Sequence, residues 1–391
     1  MISVAEALAH LFDLAQPLET EVVPLKHANG RVLVENAIAR RDQPPFSASA
    51  MDGYAVRNAD VTTGATFTMI GESAAGHRFD GAINAGECVR IFTGAPLPKG
   101  ADRIIIQEDV TADGDKITLG DNLDSNPYVR AKGFDFKDGD VIPASKTLGP
   151  SDIALLAAMN ISDVTVTRRP KVAILSTGDE LVMPGEEPTE DQIIASNSFG
   201  LYAMLKDIGA EPRLLPIARD NEASLKTAFS LAEDADLLVT IGGASVGDHD
   251  LVGDVAADLG MERSFYKITM RPGKPLMAGR LSNGAMMIGL PGNPVSAMVC
   301  GKIFLEPVIR AMLGLGKAPA REFTAPLAHD VKANGPREHY TRARQENGSV
   351  SIFERQDSAL LSVLAAADTL VIRPPNDPAR KAGEIMRCVA I

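Results

Sequence analysis

The chain has 391 residues, enough for two to four domains with a substantial core. Its 51 acidic and 39 basic side chains leave a formal charge of −12, which argues against general binding to nucleic acid or to an anionic membrane surface. Three widely spaced cysteines (Cys88, Cys300, Cys388) suggest neither a disulfide framework nor a zinc site, and no apolar run is long enough to span a bilayer. With Glu6 near the N-terminus and no basic segment there, no signal peptide is read, and a soluble cytoplasmic protein is expected.

Residues 2–15 read as an amphipathic helix. Ser3 and Glu6 form an S-x-x-E capping box, Val4, Leu8, Leu11 and Phe12 share one stripe, and Pro17 ends it. Residues 41–54, RDQPPFSASAMDGY, are too irregular for a helix and too polar for a core strand. Phe46 and Met51 in so polar a loop suggest a binding loop around Asp52. Short strands follow at 66–70, 87–92, 103–110 and 116–119, with Asp113-Gly114 as a hairpin turn. The rigid loop 92–102 presents the Thr93 hydroxyl. A β-rich domain over 41–139 is expected. A second helix spans 152–159 with Ser151 as its N-cap. Helical patterns on both sides of the β-rich stretch suggest one helical linker region, 1–40 and 140–168, interrupted by an insertion.

From residue 169 the pattern alternates strand and helix. A strand at 171–175 ends in Ser176-Thr177-Gly178-Asp179-Glu180. A helix at 198–208 aligns Leu201, Leu205 and Ile208. A strand at 213–218 ends at Asp220, and a helix covers 224–233. The apolar strand 237–241 breaks into Gly242-Gly243, reaches Ser245, turns at Gly247 and ends on Asp248 and Asp250. A helix with Leu251, Val255 and Leu259 on one face follows. This order predicts a doubly wound parallel sheet whose ligands sit beyond the carboxyl ends of the strands, at the switch point. Strand, glycine turn and helix start together aim free backbone N–H groups at an anion. Two more loops join that edge. Residues 270–275 carry Arg271 and Lys274 on a stiff turn. Residues 290–296 lead into a long apolar helix over 297–312, with Ser296 in its first turn. Each loop alone is read most simply as a structural turn; five at one sheet edge point to a site.

Residues 316–391 form a last small β unit, with strands at 322–328, 340–345, 350–353, 369–373 and 384–390. Arg337, Arg342 and Arg344 form a basic cluster there, by default a charged strand face, and residues 356–362 offer Ser358 and Ser362. Glycine amides and cations accept phosphate or another oxyanion. Carboxylates at the same edge suit Mg²⁺ or the hydrogen-bond donors of a ribose or heterocycle. No nucleophile–base pair is evident. The residues allow a nucleotide-like phosphate ligand with Mg²⁺ and do not name it.

The motifs PPF-x-x-SAMDGYAVR (44–57), FTGAPLP (92–98), STGDEL (176–181), GG-x-SVG (242–247), PGKP (272–275) and LPGNPVSA (290–297) together resemble the molybdopterin molybdenumtransferase, or MoeA, family. They occur in that family's order over nearly the whole chain. The resemblance implies a multidomain α/β protein. Its central domain, 169–315, is a doubly wound molybdopterin-binding domain. Around it come the helical linker (1–40 and 140–168), the inserted β-rich domain (41–139) and a small C-terminal β-barrel (316–391).

The implied activity is insertion of molybdate into adenylylated molybdopterin, with Mg²⁺-dependent loss of AMP, by a homodimer. Implied catalytic residues are Asp52, Thr93, Asp135, Glu180, Asp220 and Asp250, the first two reaching the partner subunit's site. Asp220 and Asp250 would hold the metal. Thr177, Gly178, Gly242, Gly243, Ser245, Gly247, Pro275, Pro291, Gly292, Asn293 and Pro294 would bind the pterin nucleotide. Arg271, Lys274, Ser296, Arg337 and Ser358 would bind molybdate. Arg271 stands where lysine is usual, which keeps charge and changes geometry. Asp357 stands where glycine is usual, which sets an acid beside Ser358 and makes Ser362 its substitute. An adenylyltransferase and molybdoenzyme chaperones are the expected protein partners. Competing readings are a molybdopterin adenylyltransferase, a non-catalytic dimeric scaffold of the same fold and an AMP-binding regulator. The β-rich domain and the C-terminal unit weigh against the first and the acids at the strand ends against the second, while the third would show AMP binding without chemistry.

Overall fold

Helix α1 (Val4–Leu14) starts where its capping box places it. The Ser3 hydroxyl accepts from the Glu6 N–H at 3.2 Å, and the Ser3 N–H donates to Glu6 Oε2 at 2.7 Å. The computed structural model describes residues 1–243 and 251–391. The chain divides into one unit of residues 1–21, 30–34 and 166–391 and a second of residues 22–29 and 35–165. Val4, Ala7, Leu8 and Leu11 of α1 are buried in the core of the first unit.

The second unit is built on six strands: β1 (Gly53–Val56), β2 (Thr66–Ser73), β3 (Glu87–Ile91), β4 (Arg103–Ile106), β5 (Val110–Asp113) and β6 (Lys116–Leu119). Their order in the sheet is β4-β1-β3-β2-β6-β5. Lys116 pairs with Asp113 across the β5–β6 hairpin, and Gly114 in the turn has φ +60°, as the Asp-Gly pair predicts. The expected strand 103–110 divides at a 3-10 turn, Gln107–Asp109. Helix α2 (Pro150–Ala158) begins one residue before the expected N-cap Ser151. Pro150 takes the first helical position, Gly149 is the cap, and the Asp152 carboxylate accepts from the Gly149 N–H at 2.9 Å.

The first unit carries the central sheet. Its elements are β7 (Lys171–Ser176), α3 (Asn197–Asp207), β8 (Glu211–Leu214), α4 (Glu222–Ser230), β9 (Leu237–Ile241), α5 (Leu251–Asp258), β10 (Glu262–Tyr266), β11 (Met270–Arg271), β12 (Met277–Arg280) and β13 (Met286–Leu290). The strand order is β8-β7-β9-β13-β12-β10; the first four are parallel, and β12 runs antiparallel to both its neighbours, β13 and β10. Both faces are covered. Val172, Ile174, Leu237, Val239 and Ile288 pack with α1, α3 and the helices after β13. Ala173, Leu175, Leu238 and Met287 point the other way, to α4 and α5. This alternation is the two-residue strand period read on a sheet with no solvent face. On α5 the buried residues are Val252, Val255 and Ala256, while Leu259 is exposed, so the expected stripe lies about one residue off.

The expected single helix over 297–312 is interrupted. Helix α6 (Pro294–Cys300) and helix α7 (Glu306–Met312) are joined by a wider π turn, Gly301–Leu305, in which the Glu306 N–H reaches Gly301 O. Pro307 explains the break: it has no N–H, and its ring crowds the carbonyl of Ile303. Helix α3 lies close to this rod because a Cβ on Gly301 would fall 2.8 Å from Leu201 and one on Gly200 2.8 Å from Met298.

The last elements are β14 (Glu322–Pro326), β15 (Glu338–Glu346), β16 (Ser349–Ile352), α8 (Leu361–Ala365), β17 (Thr369–Arg373) and β18 (Ile385–Ala390). They pair in the order β11-β15-β17-β18-β14, with β16 on β15. A bridge from Leu327, just after β14, to Val350 of β16 closes the circuit into a small barrel. The two residues of β11 add to it from within the central domain. No helix among the described residues is long and apolar enough to cross a membrane.

Candidate functional site

The chain leaves β7 outward to β8 and then crosses back to β9, so the switch point lies between β7 and β9. The loops after these strands and after β13 are stitched edge to edge. The Thr177 N–H donates to Ile241 O at 3.1 Å, the Gly178 N–H to Ala218 O at 3.1 Å, and the Gly242 N–H to Leu290 O at 3.1 Å. Gly242 has φ +90° and Gly243 φ +67°. A Cβ on Gly242 would stand 2.8 Å from Thr177 O, and one on Gly243 2.2 Å from Val252 Cγ2. Both glycines are therefore demanded by the turn itself. At the start of α3 the Asn197 side chain donates to Gly292 O at 2.7 Å and holds the PGNP loop.

Between these loops lies a cavity of about 1080 Å³. Of the candidate residues named from sequence, Thr177, Gly178, Glu180, Asp220, Gly242, Gly243, Pro275 and the run from Pro291 to Pro294 line it. Its size suits a ligand as large as a nucleotide. Asn197, Asp254 and Ala359 also line it and carry no sequence motif that would have marked them. Three carboxylates, Glu180, Asp220 and Asp254, face one space. That wall favours hydrogen-bond donors or a divalent cation over a bare anion. Among the described residues no group of three or more His, Cys, Asp or Glu side chains converges as a metal cage. Mg²⁺ is typically held by one or two carboxylates plus substrate phosphates, so the hard oxygen donors of this wall fit such an ion. Ser245, Gly247 and Asp250 lie outside the described residues.

Arg271 and Lys274 lie on the stretch of chain that supplies Pro275 to the cavity wall. Arg271 of β11 pairs with His339 of β15, and Arg337 donates through Nη1 to Met270 O at 3.5 Å. The Ile268 N–H donates to Lys274 O at 3.0 Å and the Val295 N–H to Ser358 O at 3.0 Å, so the turn with Lys274 closes on the chain before β11 and the loop with Ser358 is tied to the start of α6. Pro275 and Ala359, the neighbours of Lys274 and Ser358, reach into the cavity wall. Ser296 sits on α6 and is only 3 % exposed. Asp357 turns its carboxylate onto the Ala359 N–H at 2.9 Å. The candidate substitute Ser362 lies exposed on α8. His339 is buried. Its pKa is pushed down to about 4 by that burial and by Arg271, Arg342, Arg373 and Arg337 around it.

In the second unit, Asp52 Oδ1 accepts from the Thr93 N–H at 2.7 Å and from the Thr93 hydroxyl at 2.8 Å. Those bonds, with Arg90 nearby, hold the carboxyl below the usual range. Gly53 follows Asp52 because a Cβ there would stand 2.0 Å from Ile105 O on the paired strand. Arg90 lies 5.0 Å from the Tyr54 ring and 4.9 Å from the Phe92 ring. The two motif loops thus form one acid–hydroxyl pair. Asp135 stands on another turn, where its N–H donates to Gln43 O at 2.9 Å. Among the described residues it makes no bond to that pair.

A doubly wound sheet with a nucleotide-sized cavity at its switch point defines the class, and residues 173–311 match a probable molybdopterin binding domain. Residues 2–160 match the MoeA N-terminal region (domains I and II), and residues 324–389 the MoeA C-terminal region (domain IV). The chain is 37% identical over 354 residues to a molybdopterin molybdenumtransferase of Nostoc, covering 87% of this chain and 81% of that one. It is 39% identical over 318 residues to a protein of the same name from Haemophilus influenzae, covering 80% and 78%. A crystal structure of a molybdopterin biosynthesis MoeA protein from Pyrococcus horikoshii superposes with a TM-score of 0.84 at 28% identity, over 100% of both chains. The chain belongs to the molybdopterin molybdenumtransferase (MoeA) family of enzymes.

Proposed function

We propose that this chain inserts molybdate into adenylylated molybdopterin and releases AMP, acting as a cytoplasmic homodimer of four-domain subunits. What supports the reading is one stretch of chain shared by two unlike groups of side chains. A carboxylate-walled cavity of nucleotide size takes Pro275 into its wall, and the chain just before Pro275 carries Arg271 and Lys274, with Arg337 bonded to Met270 O. Molybdate is a dianion, and in an acidic chain it needs such local cations. The glycine turn at Gly242-Gly243 would take the pyrophosphate and adenylyl end. The dithiolene sulfurs of the substrate would supply the ligands to molybdenum, so no protein cysteine is needed; the three cysteines are buried.

Asp220, with Asp250, would hold Mg²⁺ against the phosphates, and the ion would supply charge neutralisation as the adenylate leaves. Asp220 and Glu180 line the cavity and would orient that end. Asp52, held ionised by Thr93, would complete the neighbouring subunit's site. The adenylyltransferase reading differs in consuming ATP and forming the adenylylated precursor.

The test is equilibrium binding of molybdate and, separately, of AMP. Lys274→Ala is expected to weaken molybdate binding about tenfold or more, as the loss of a charged contact does, and to leave AMP binding unchanged. Unaltered molybdate affinity would remove the ground for the assignment.

A further inference from the structure

The sequence reads Arg342 as part of a charged strand face. In the structure its side chain is only 1% exposed and faces inward. It meets the 353–360 loop from both ends. The Gln356 carbonyl oxygen Oε1 accepts from the Arg342 N–H at 3.0 Å and from Arg342 Nε at 3.3 Å. The Gln356 amide Nε2 donates back to Arg342 O at 2.9 Å and to Phe353 O at 2.8 Å. Beyond the loop, Arg342 Nη1 donates to Leu360 O at 3.4 Å. Every polar atom of the Gln356 side chain is thus used, and one guanidinium spans the loop's two feet. Between those feet stand Asp357, Ser358 and Ala359. Asp357 is engaged with the Ala359 N–H, and its charge opposes the burial that holds the Arg342 guanidinium below its ordinary value. Ser358 is pinned through its carbonyl to the Val295 N–H at the start of α6.

We infer that Gln356 and Arg342 are positioning residues: their clamp fixes the loop so that Ser358 meets the oxyanion held by Arg271 and Lys274. The inference rests on reading those cations as the molybdate seat. It also answers the question raised by Asp357. The acid beside Ser358 is tolerated because its oxygen is taken by backbone and its charge faces a buried cation.

The experiment measures molybdate Kd, AMP Kd, and KM against kcat for molybdate in the full-length protein carrying Gln356→Ala, Ser358→Ala or both. A loop released from its clamp is expected to raise molybdate Kd and KM about tenfold, the scale of one or two lost hydrogen bonds, with AMP Kd and kcat at saturating molybdate unchanged. A merely structural defect would move all of these together. Because Gln356 acts through Ser358, the double variant should be no worse than Ser358→Ala alone. Gln356→Glu keeps an acceptor for Arg342 but sets a carboxylate oxygen against the Arg342 and Phe353 carbonyls in place of the amide donor, so it should weaken molybdate binding much as Gln356→Ala does. It also serves as the readout should Gln356→Ala fail to fold. Losses that multiply in the double variant, or an unchanged molybdate affinity in both Gln356 variants, overturn the clamp. If Lys274→Ala also leaves molybdate binding untouched, the seat itself is wrong, and that outcome is distinguishable from failure of the clamp alone.

Discussion

His339 lies in a cross-strand row, with Arg271 opposite it on one side and Arg373 on the other. Residues paired in this way stand close enough to repel when charged alike. Arg373 is buried and bound to Asp377, so the row can hold two cations only while the imidazole between them stays neutral. An unfolded histidine titrates near 6.5, and this one is pushed down to about 4 by burial first and its arginine neighbours second. Below pH 6.5 the unfolded chain therefore binds a proton that the folded chain refuses. Stability should fall as pH drops from about 6.5 to about 4 and gain no further slope from this group below that. The share owed to His339 is on the order of 3 kcal/mol at the acid end. Denaturant titrations of wild type and His339→Gln between pH 4 and 7 check this: the variant should lose stability less steeply with acid.

At the scale of elements, the loops that follow the parallel strands separate two kinds of glycine. Gly242→Ala combines a positive φ with a 2.8 Å approach to a backbone oxygen. It is expected to cost about 1–3 kcal/mol and to weaken AMP binding with it. Among the described residues a Cβ on Gly292 would meet only Gly242 Cα, at an ordinary 3.5 Å. Gly292→Ala should therefore melt like wild type while adding bulk to the cavity wall. Thermal melts and AMP titrations of the two variants test the contrast, and equal melting temperatures would contradict it. The π turn in the α6–α7 rod belongs to this scale as well. Pro307 forces it, and the glycines at 200 and 301 let α3 approach that rod, where Asn197 grips the PGNP loop. Apolar periodicity alone reads this segment as one uninterrupted helix, because it counts hydrophobic positions and not carbonyls crowded by a proline ring.

For the whole molecule, the proposed dimer makes a demand on genetics. If Asp52 of one subunit serves the site of the other, Asp52→Ala and Lys274→Ala homodimers should both be nearly inactive at molybdate well below the Kd of the Lys274→Ala variant. Mixed dimers should regain activity in one site of two, about a quarter of wild type at equal mixing, allowing for the half of molecules that are mixed. Molybdate-dependent AMP release from co-refolded subunits measures this. No recovery would place Asp52 in its own subunit's site or outside catalysis.

The doubly wound sheet was legible because its strands are buried on both faces and its glycine breaks recur at their ends, a pattern carried by residue types alone. The residues lining the cavity were legible for the same reason, since a strand's carboxyl end can be located without knowing its neighbours. Asn197, Asp254 and the Arg342–Gln356 clamp could not be read in this way. Their partners are 95 residues away for Asn197 and 14 for Gln356, and neither spacing has a periodicity to betray it. Sequence determined which chemical groups the chain owns and which strand ends present them. Only tertiary structure decided which of those ends share one space, because register and loop-to-loop hydrogen bonds, not composition, set the distances across which charges act.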